Sequence, residues 1–246
     1  VLLDSGLRSW SDIDEDPNSD AVLAHNETLV AHAHALPVGD RIAYIRELAR
    51  DRSVLDIGAV EHTLLAHDTS QWLHGQLAAV AKRCVGLDVL EGPCAALRSE
   101  GYDIRVHDIM DEPMGEQFEL VVAGEVIEHV DSPGQLLAGA ASALAPSGRL
   151  VLTTPNSYML NYAWHGLTGK GARENADHVS GFNASHMLEL GRRHGLRLVR
   201  WRGVRTARGA TAKSRAMGTV RRVLSKTILA PESDCDTLVY EFVAAD

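Results

Sequence analysis

The feature that most limits what this chain can fold into is a repeated pairing of short apolar runs with helix-like stretches from residue 53 to residue 154. The runs are Ser53-Val54-Leu55-Asp56-Ile57-Gly58, Cys84-Val85-Gly86-Leu87-Asp88, Asp103-Ile104-Arg105-Val106-His107-Asp108, Phe118 to Ala123, and Gly148 to Thr154. Unbroken apolar runs of strand length, bounded by turn residues, read as strands buried on both faces. Residues 70–83, 92–100 and 133–144 read as the helices between them, and Ile42, Ile45 and Leu48 place another helix before the first strand. A helix over 184–194, N-capped by Asn183 and closed by Gly195, feeds a strand at 196–204, and 237–243 is the last strand. Such alternation predicts an α/β fold with a doubly wound, mostly parallel sheet and right-handed crossovers.

The remaining segments divide as follows. Residues 1–37, with acids at Asp12, Asp14, Glu15 and Asp16, are expected to form an N-terminal arm whose helix, over Asp20 to Ala35, caps a cleft. Residues 38–246 form one domain, with 156–182 as an active-site cover and 205–230 as a basic insertion. Within 205–227 stand Arg205, Arg208, Lys213, Arg215, Arg221, Arg222 and Lys226 without an acid. That run is either a solvated excursion or a patch that steers an anionic substrate. The net charge of -9 argues against nonspecific adhesion to nucleic acid. No stretch is long and apolar enough to span a bilayer, and the first residues do not read as a secretion signal. Cys84, Cys94 and Cys235 form no Cys-x-x-Cys pair, which suits a reducing cytoplasm, and Cys84 reads as a small core residue. Oligomeric state is left open by the sequence.

Three acids end the first three strands: Asp56, Asp88 and Asp108. A carboxylate at the end of the second strand is well placed to accept both hydroxyls of a ribose, and Gly58 lets the first turn approach a ligand closely. That turn reads Gly58-Ala59-Val60-Glu61, without Gly-x-Gly-x-x-Gly. Val60 and Glu61 would oppose a pyrophosphate, so NAD and FAD fit poorly, and a cofactor with a positive centre and no phosphate fits better.

The fourth strand runs into Glu125-Val126-Ile127-Glu128-His129-Val130. If a helical turn starts there, Glu125, Glu128 and His129 share one face. Two carboxylates and an imidazole could bind Mg²⁺ or Mn²⁺ rather than structural zinc, with His178 of Asn175-Ala176-Asp177-His178 as a further ligand. Alternatively, His129 is a metal-free general base, or the turn is purely structural. Trp72 and Trp164 either wall a substrate pocket or pack in the core or cover, and His62, His67, His74, His165 and His186 are left as structural or substrate-facing.

Taken in order, these segments resemble the class I S-adenosylmethionine-dependent methyltransferases over about residues 40–204. Val-Leu-Asp-Ile-Gly (54–58) resembles their first motif, Val-Gly-Leu-Asp (85–88) the ribose-binding strand end, and His-Asp-Ile (107–109) the adenine-contacting turn. Residues 118–130 and 144–156 resemble the fourth- and fifth-strand motifs, most nearly those of coenzyme Q and natural-product O-methyltransferases. The first turn departs from the family in lacking its second glycine. The resemblance implies a seven-stranded, Rossmann-like methyltransferase fold and S-adenosylmethionine as cofactor. It further implies that Asp56, Gly58 and Ala59 face the methionine end and that Asp88 and Val89 bind the ribose end. Asp108 and Ile109 would contact adenine, and the Ala123 carbonyl would meet the amino group. The Glu-x-x-Glu-His turn and the later Asp-His also resemble the metal site of small-RNA 3′-end ribose methyltransferases. The expected activity is O-methylation of a small-molecule hydroxyl: a sugar, polyphenol or secondary metabolite. The rivals are an RNA ribose 2′-O-methyltransferase and a cofactor-binding protein without catalysis.

Overall fold

In the computed structural model, residues 7–26, 40–60, 71–169, 175–205 and 235–245 are described. The basic insertion, apart from Arg205, lies outside them, as do His62 and His67. Strands β1 (Ser53–Ile57), β2 (Arg83–Asp88), β3 (Ile104–Val106), β4 (Phe118–Gly124), β5 (Leu144–Pro155), β6 (Leu196–Val204) and β7 (Thr237–Ala244) join in one sheet. Its order is β3-β2-β1-β4-β5-β7-β6, with only β7 antiparallel to its neighbours. The helices are α1 (Arg41–Ala49), α2 (Leu73–Ala78), α3 (Glu91–Ser99), α4 (Pro133–Ser142), α5 (Leu160–Leu167) and α6 (Ala184–Arg193). This is the expected doubly wound, Rossmann-like architecture.

Both faces of the sheet are covered, which is why its strands read as continuous apolar runs. Leu55, Ile57, Val121 and Leu150 pack towards Leu136 and Leu137 of α4 and Met187 and Leu188 of α6. Val54, Leu120, Val122 and Val151 pack towards Ile42 and Ile45 of α1 and Leu73 and Leu77 of α2. The order reverses between β1 and β4, so a crevice opens above their carboxyl ends. Ile57 pairs with Leu87 on one side and Ala123 on the other, which sets the tips of β2, β1 and β4 level.

Several boundaries differ from the sequence expectation for local reasons. Helix α2 is shorter than 70–83, because the backbone before it is extended at Trp72 and the chain after Ala79 turns so that Lys82 N–H reaches the Arg52 carbonyl at 2.9 Å. Strand β3 ends at Val106, where Asp108 Oδ1 accepts from Met110 N–H at 2.9 Å and starts a turn. The arm is helical at 20–26, and the remainder of the expected 20–35 helix lies outside the described residues. Its described part does not line the cofactor crevice. Instead Leu7 joins the core near α6, Ser9 Oγ donates to Glu189 Oε2 at 2.5 Å, and Trp10 and Val22 share a groove with Phe182 and Leu188.

Helix α1 is fastened to the sheet through one buried acid. Glu241 on β7 is fully buried; it accepts hydrogen bonds from Tyr44 of α1 and Arg149 of β5, with Arg200 of β6 at 3.5 Å. Arg202 stacks over the Tyr44 ring at 5.3 Å and donates to its hydroxyl at 3.2 Å. Removing one partner of such a cluster leaves the opposite charges uncompensated. Glu241→Ala should therefore lower the unfolding free energy by about 3–5 kcal/mol in urea titration. A loss below about 1 kcal/mol would mean that water already compensates the arginines.

Candidate active site

The crevice over the strand tips is a cleft of about 710 Å³. Its wall begins at the end of β1. Gly58 has φ of +75°, and a Cβ there would lie 2.4 Å from Val126 Cγ2, so the glycine is required by backbone and space together. The turn is held from the neighbouring strand: Gly58 and Ala59 N–H donate to the Leu87 carbonyl at 2.9 and 3.0 Å, and Val60 N–H donates to Asp88 Oδ2 at 3.0 Å. Asp88 Oδ1 also accepts from Leu90 N–H at 3.1 Å. The carboxylate at the tip of β2 thus joins two loops that flank the place expected for a ribose.

Of the expected cofactor residues, Asp56, Gly58, Ala59, Asp88, Val89, Asp108 and Ile109 all line this one cleft. Val89 is largely exposed at its rim, and Ile109 is buried against Gly139 of α4. Ala123 is the exception. It is packed inside β4, and Gly124 takes the place in the wall that was expected of it.

The expected helical turn after β4 does not form. Glu125 adopts φ of +58° while its N–H stays bonded to the Thr153 carbonyl at 3.0 Å, which extends the pairing with β5 by one residue. The chain then closes a tight turn from Val126 O to His129 N–H at 3.0 Å. Glu125 is engaged by other partners: its carboxylate pairs with Arg41 at 2.9 Å and accepts from Thr237 at 3.3 Å. Glu128, His129 and His178 do come together, with one ligand atom from each within 4.8 Å of the others. Of the four expected metal ligands, Glu125 stands outside this group.

Glu128 is only 1 % exposed, and among the described residues neither carboxylate oxygen has a well-aligned hydrogen-bond partner; the Thr154 hydroxyl and the Glu128 backbone N–H approach it without good alignment, and Arg41 adds a favourable charge. Burial, with the charge of Glu125 adding to it, pushes the Glu128 carboxyl up to about 7. His129 is oriented by Asp177, whose Oδ2 lies 3.0 Å from Nδ1, and its ring meets that of His178 edge-on at 4.8 Å. The cover segment is fastened to the turn by Val179 N–H donating to the Glu128 carbonyl at 2.9 Å. A buried carboxylate beside two imidazoles is a donor set that suits a divalent cation.

Two further wall residues stand out, of which the sequence offered Trp72 as a pocket wall or packing residue and gave no sign of Arg41. Arg41, from the start of α1, is the one lysine or arginine among the described lining residues, against six carboxylates at 56, 88, 108, 125, 128 and 177. Trp72 is buried, lines the cleft and donates its indole N–H to the Ala59 carbonyl at 2.9 Å. Trp164, by contrast, is exposed on α5 and is not part of this wall. Beneath the floor, burial raises the Cys84 thiol well beyond its ordinary range, so it is no nucleophile. Among the described residues no helix is long and apolar enough to cross a membrane.

Comparison with known proteins agrees with this geometry. A methyltransferase-domain family profile matches residues 30–200. No curated protein matches the sequence. Among solved structures, a SAM-dependent methyltransferase from Archaeoglobus fulgidus is similar over 81% of this chain and 89% of its own, at 15% identity and a TM-score of 0.53. Magnesium protoporphyrin IX methyltransferase from Synechocystis PCC 6803, with bound SAH, is similar over 99% and 96%, at 13% identity and 0.54. N-methyltransferase NodS from Bradyrhizobium japonicum WM9, in complex with SAH, is similar over 89% and 96%, at 18% identity and 0.52. With a profile match across most of its length and a strand-tip cleft bearing the expected acids, the chain belongs to the methyltransferase-domain family and is a class I S-adenosylmethionine-dependent methyltransferase.

Proposed function

We propose that the protein is an O-methyltransferase for a small, polar molecule with neighbouring oxygens, and that Glu128, His129 and His178 hold a divalent cation beside the acceptor. The observation that carries this reading is the Glu128 carboxylate, buried next to two imidazoles in the cleft and without a well-aligned partner among the described residues. With Glu125 engaged by Arg41, the donor set is one carboxylate and two imidazoles, which favours Mn²⁺ over Mg²⁺. The six carboxylates of the wall oppose a phosphate-rich acceptor, which argues against RNA.

Methyl transfer needs a nucleophile in line with the methyl–sulfur bond, on the side of the methyl carbon opposite the sulfur that leaves as a thioether, and freed of its proton. In this reading Asp88 holds the ribose and the first turn faces the methionine end, which together present the methyl group towards the Glu128–His129 corner. Asp177 fixes the His129 ring through Nδ1, so that Nε2 is the nitrogen offered to the acceptor side. A bound divalent ion would supply Lewis-acid polarisation of the acceptor oxygens. Glu128 and the cover segment from Asn175 line the corner, together with the Arg41–Glu125 ion pair.

A second reading, in which His129 acts as a metal-free base, is supported by the same Asp177–His129 pair. Chelation separates the two. EDTA should lower turnover at least a hundredfold, about 2.7 kcal/mol in activation free energy, with Mn²⁺ restoring it better than Mg²⁺ and S-adenosylhomocysteine affinity unchanged. Full turnover in EDTA would leave the base reading standing and remove the cation.

A further inference from the structure

We propose that His74 is a positioning residue of the cofactor site, holding Asp56 from beneath the cleft so that its carboxylate meets the methionine end of the cofactor. The inference rests on the reading that S-adenosylmethionine lies over the strand tips.

An acid at the end of the first strand could simply brace its own turn. Here it does not. The described turn donors are all engaged elsewhere: Gly58 and Ala59 N–H bond to the Leu87 carbonyl, and Val60 N–H to Asp88. Asp56 is nevertheless only 2 % exposed, and a buried carboxylate requires a partner. That partner is His74, itself 1 % exposed, whose Nδ1 lies 3.0 Å from Asp56 Oδ2. An ionised carboxylate can only accept, so Nδ1 carries the proton of this bond.

The imidazole is clamped on several sides. Its ring is tilted against Trp72 at 5.5 Å and meets Tyr102 edge-on at 5.9 Å. Gly86 of β2 leaves the space it occupies: a Cβ there would lie 2.9 Å from His74 Cε1 and 2.7 Å from the Ala59 Cβ. Cys84 Sγ stands 4.0 Å from Nδ1, and Nε2 is buried with no hydrogen-bond partner among the described residues. A buried ring nitrogen without a described partner carries a cost, which the bond from the other nitrogen to the Asp56 carboxylate offsets. Trp72, which clamps the ring, also anchors the Ala59 carbonyl, so the same short segment fixes both Asp56 and the turn.

The place of Asp56 in the sheet says which part of the cofactor it serves. Asp108 follows β3 and Asp88 ends β2, whereas the Glu128–His129 corner follows β4. Strand β1 lies between β2 and β4, with its tip level with both. A cofactor running from an adenosine at β2 and β3 to an acceptor at β4 must pass β1 with its methionine portion, which carries the α-ammonium. Asp56 and His74 both line the cleft there. In a turn without the family's second glycine, a side-chain carboxylate fixed from below supplies contact that closer backbone approach would otherwise give.

The test is calorimetry on the full chain with two probes, S-adenosylhomocysteine and 5′-methylthioadenosine; the second lacks the amino-acid end. In His74→Asn the amide nitrogen falls near the place of Nδ1, whereas in His74→Gln it falls near Nε2, and His74→Leu has no donor. His74→Gln and His74→Leu should weaken S-adenosylhomocysteine at least tenfold, His74→Asn no more than threefold, and none should weaken 5′-methylthioadenosine more than threefold. Equal losses for both probes would make His74 merely structural and overturn the proposal, as would wild-type affinity in His74→Gln or a full loss in His74→Asn. If His74→Leu does not fold, the Asn and Gln variants decide between these outcomes. Wild-type protein that binds neither probe would overturn the cofactor placement, and the role of His74 with it.

Discussion

Asp88→Ala should weaken S-adenosylhomocysteine binding at least about a hundredfold, on the order of 2.7 kcal/mol. Two losses combine. The ribose hydroxyls lose a charged acceptor, and hydrogen bonds to charged groups are worth about 1.5–3 kcal/mol. The wall also loosens, because the same carboxylate accepts from Val60 N–H and Leu90 N–H and so joins the loops after β1 and β2. Both amides are near solvent and can turn to water, so the fold itself should survive. Asp88→Asn is the sharper variant: it keeps the shape but sets an N–H₂ group against one of those amides, and it should bind nearly as poorly as the alanine variant. Calorimetry that finds wild-type affinity in Asp88→Ala would take the ribose away from the tip of β2.

The place of Asp88 in the cleft could be read from sequence because it depends on little beyond strand order. An acid closing the second of several parallel strands stands at the crevice whatever the loops do. The central strands were legible for a related reason: helices cover both faces, so β1, β4 and the second half of β5 are buried along nearly their whole length, and only strand ends shifted. Gly124 rather than Ala123 lines the cleft because β4 runs one residue further than its apolar run.

Glu125 was misread because helical spacing assumes a right-handed turn. A non-glycine residue at φ of +58° is uncommon, and here it is accompanied by a cation from α1 and a hydroxyl from β7, both distant in sequence. The Asp56–His74 pair was hidden in the same way, since its partners come from β1 and α2. One clue was present. Gly86 interrupts a buried strand, and a glycine there signals that something bulky approaches the backbone, in this case the His74 ring. The docking of the arm on α6 had no comparable mark, for Ser9 and Glu189 are unremarkable in their own segments.

Glu128→Gln should have two large effects of opposite sign. Turnover should fall at least about a hundredfold, or 2.7 kcal/mol in the barrier, because the cluster loses its one carboxylate while S-adenosylhomocysteine binding stays intact. Stability of the cation-free protein should rise at neutral and higher pH. In the folded protein burial lifts the Glu128 carboxyl from 4.5 to about 7, so between those values the native state holds a proton that the unfolded chain has released. Stability therefore declines as pH climbs through this window, and above it the penalty is on the order of 3 kcal/mol. Below pH 4.5 there is none. The amide removes this slope, so the melting temperatures of wild type and variant in EDTA should converge near pH 4.5 and separate towards pH 8, the variant higher. Adding Mn²⁺ at pH 8 should raise the wild-type melting temperature alone, since only a state that binds the ion gains from it. A variant that keeps full turnover, or that melts below wild type at pH 8, would mean the buried carboxylate has a partner other than a cation and that the corner works without one.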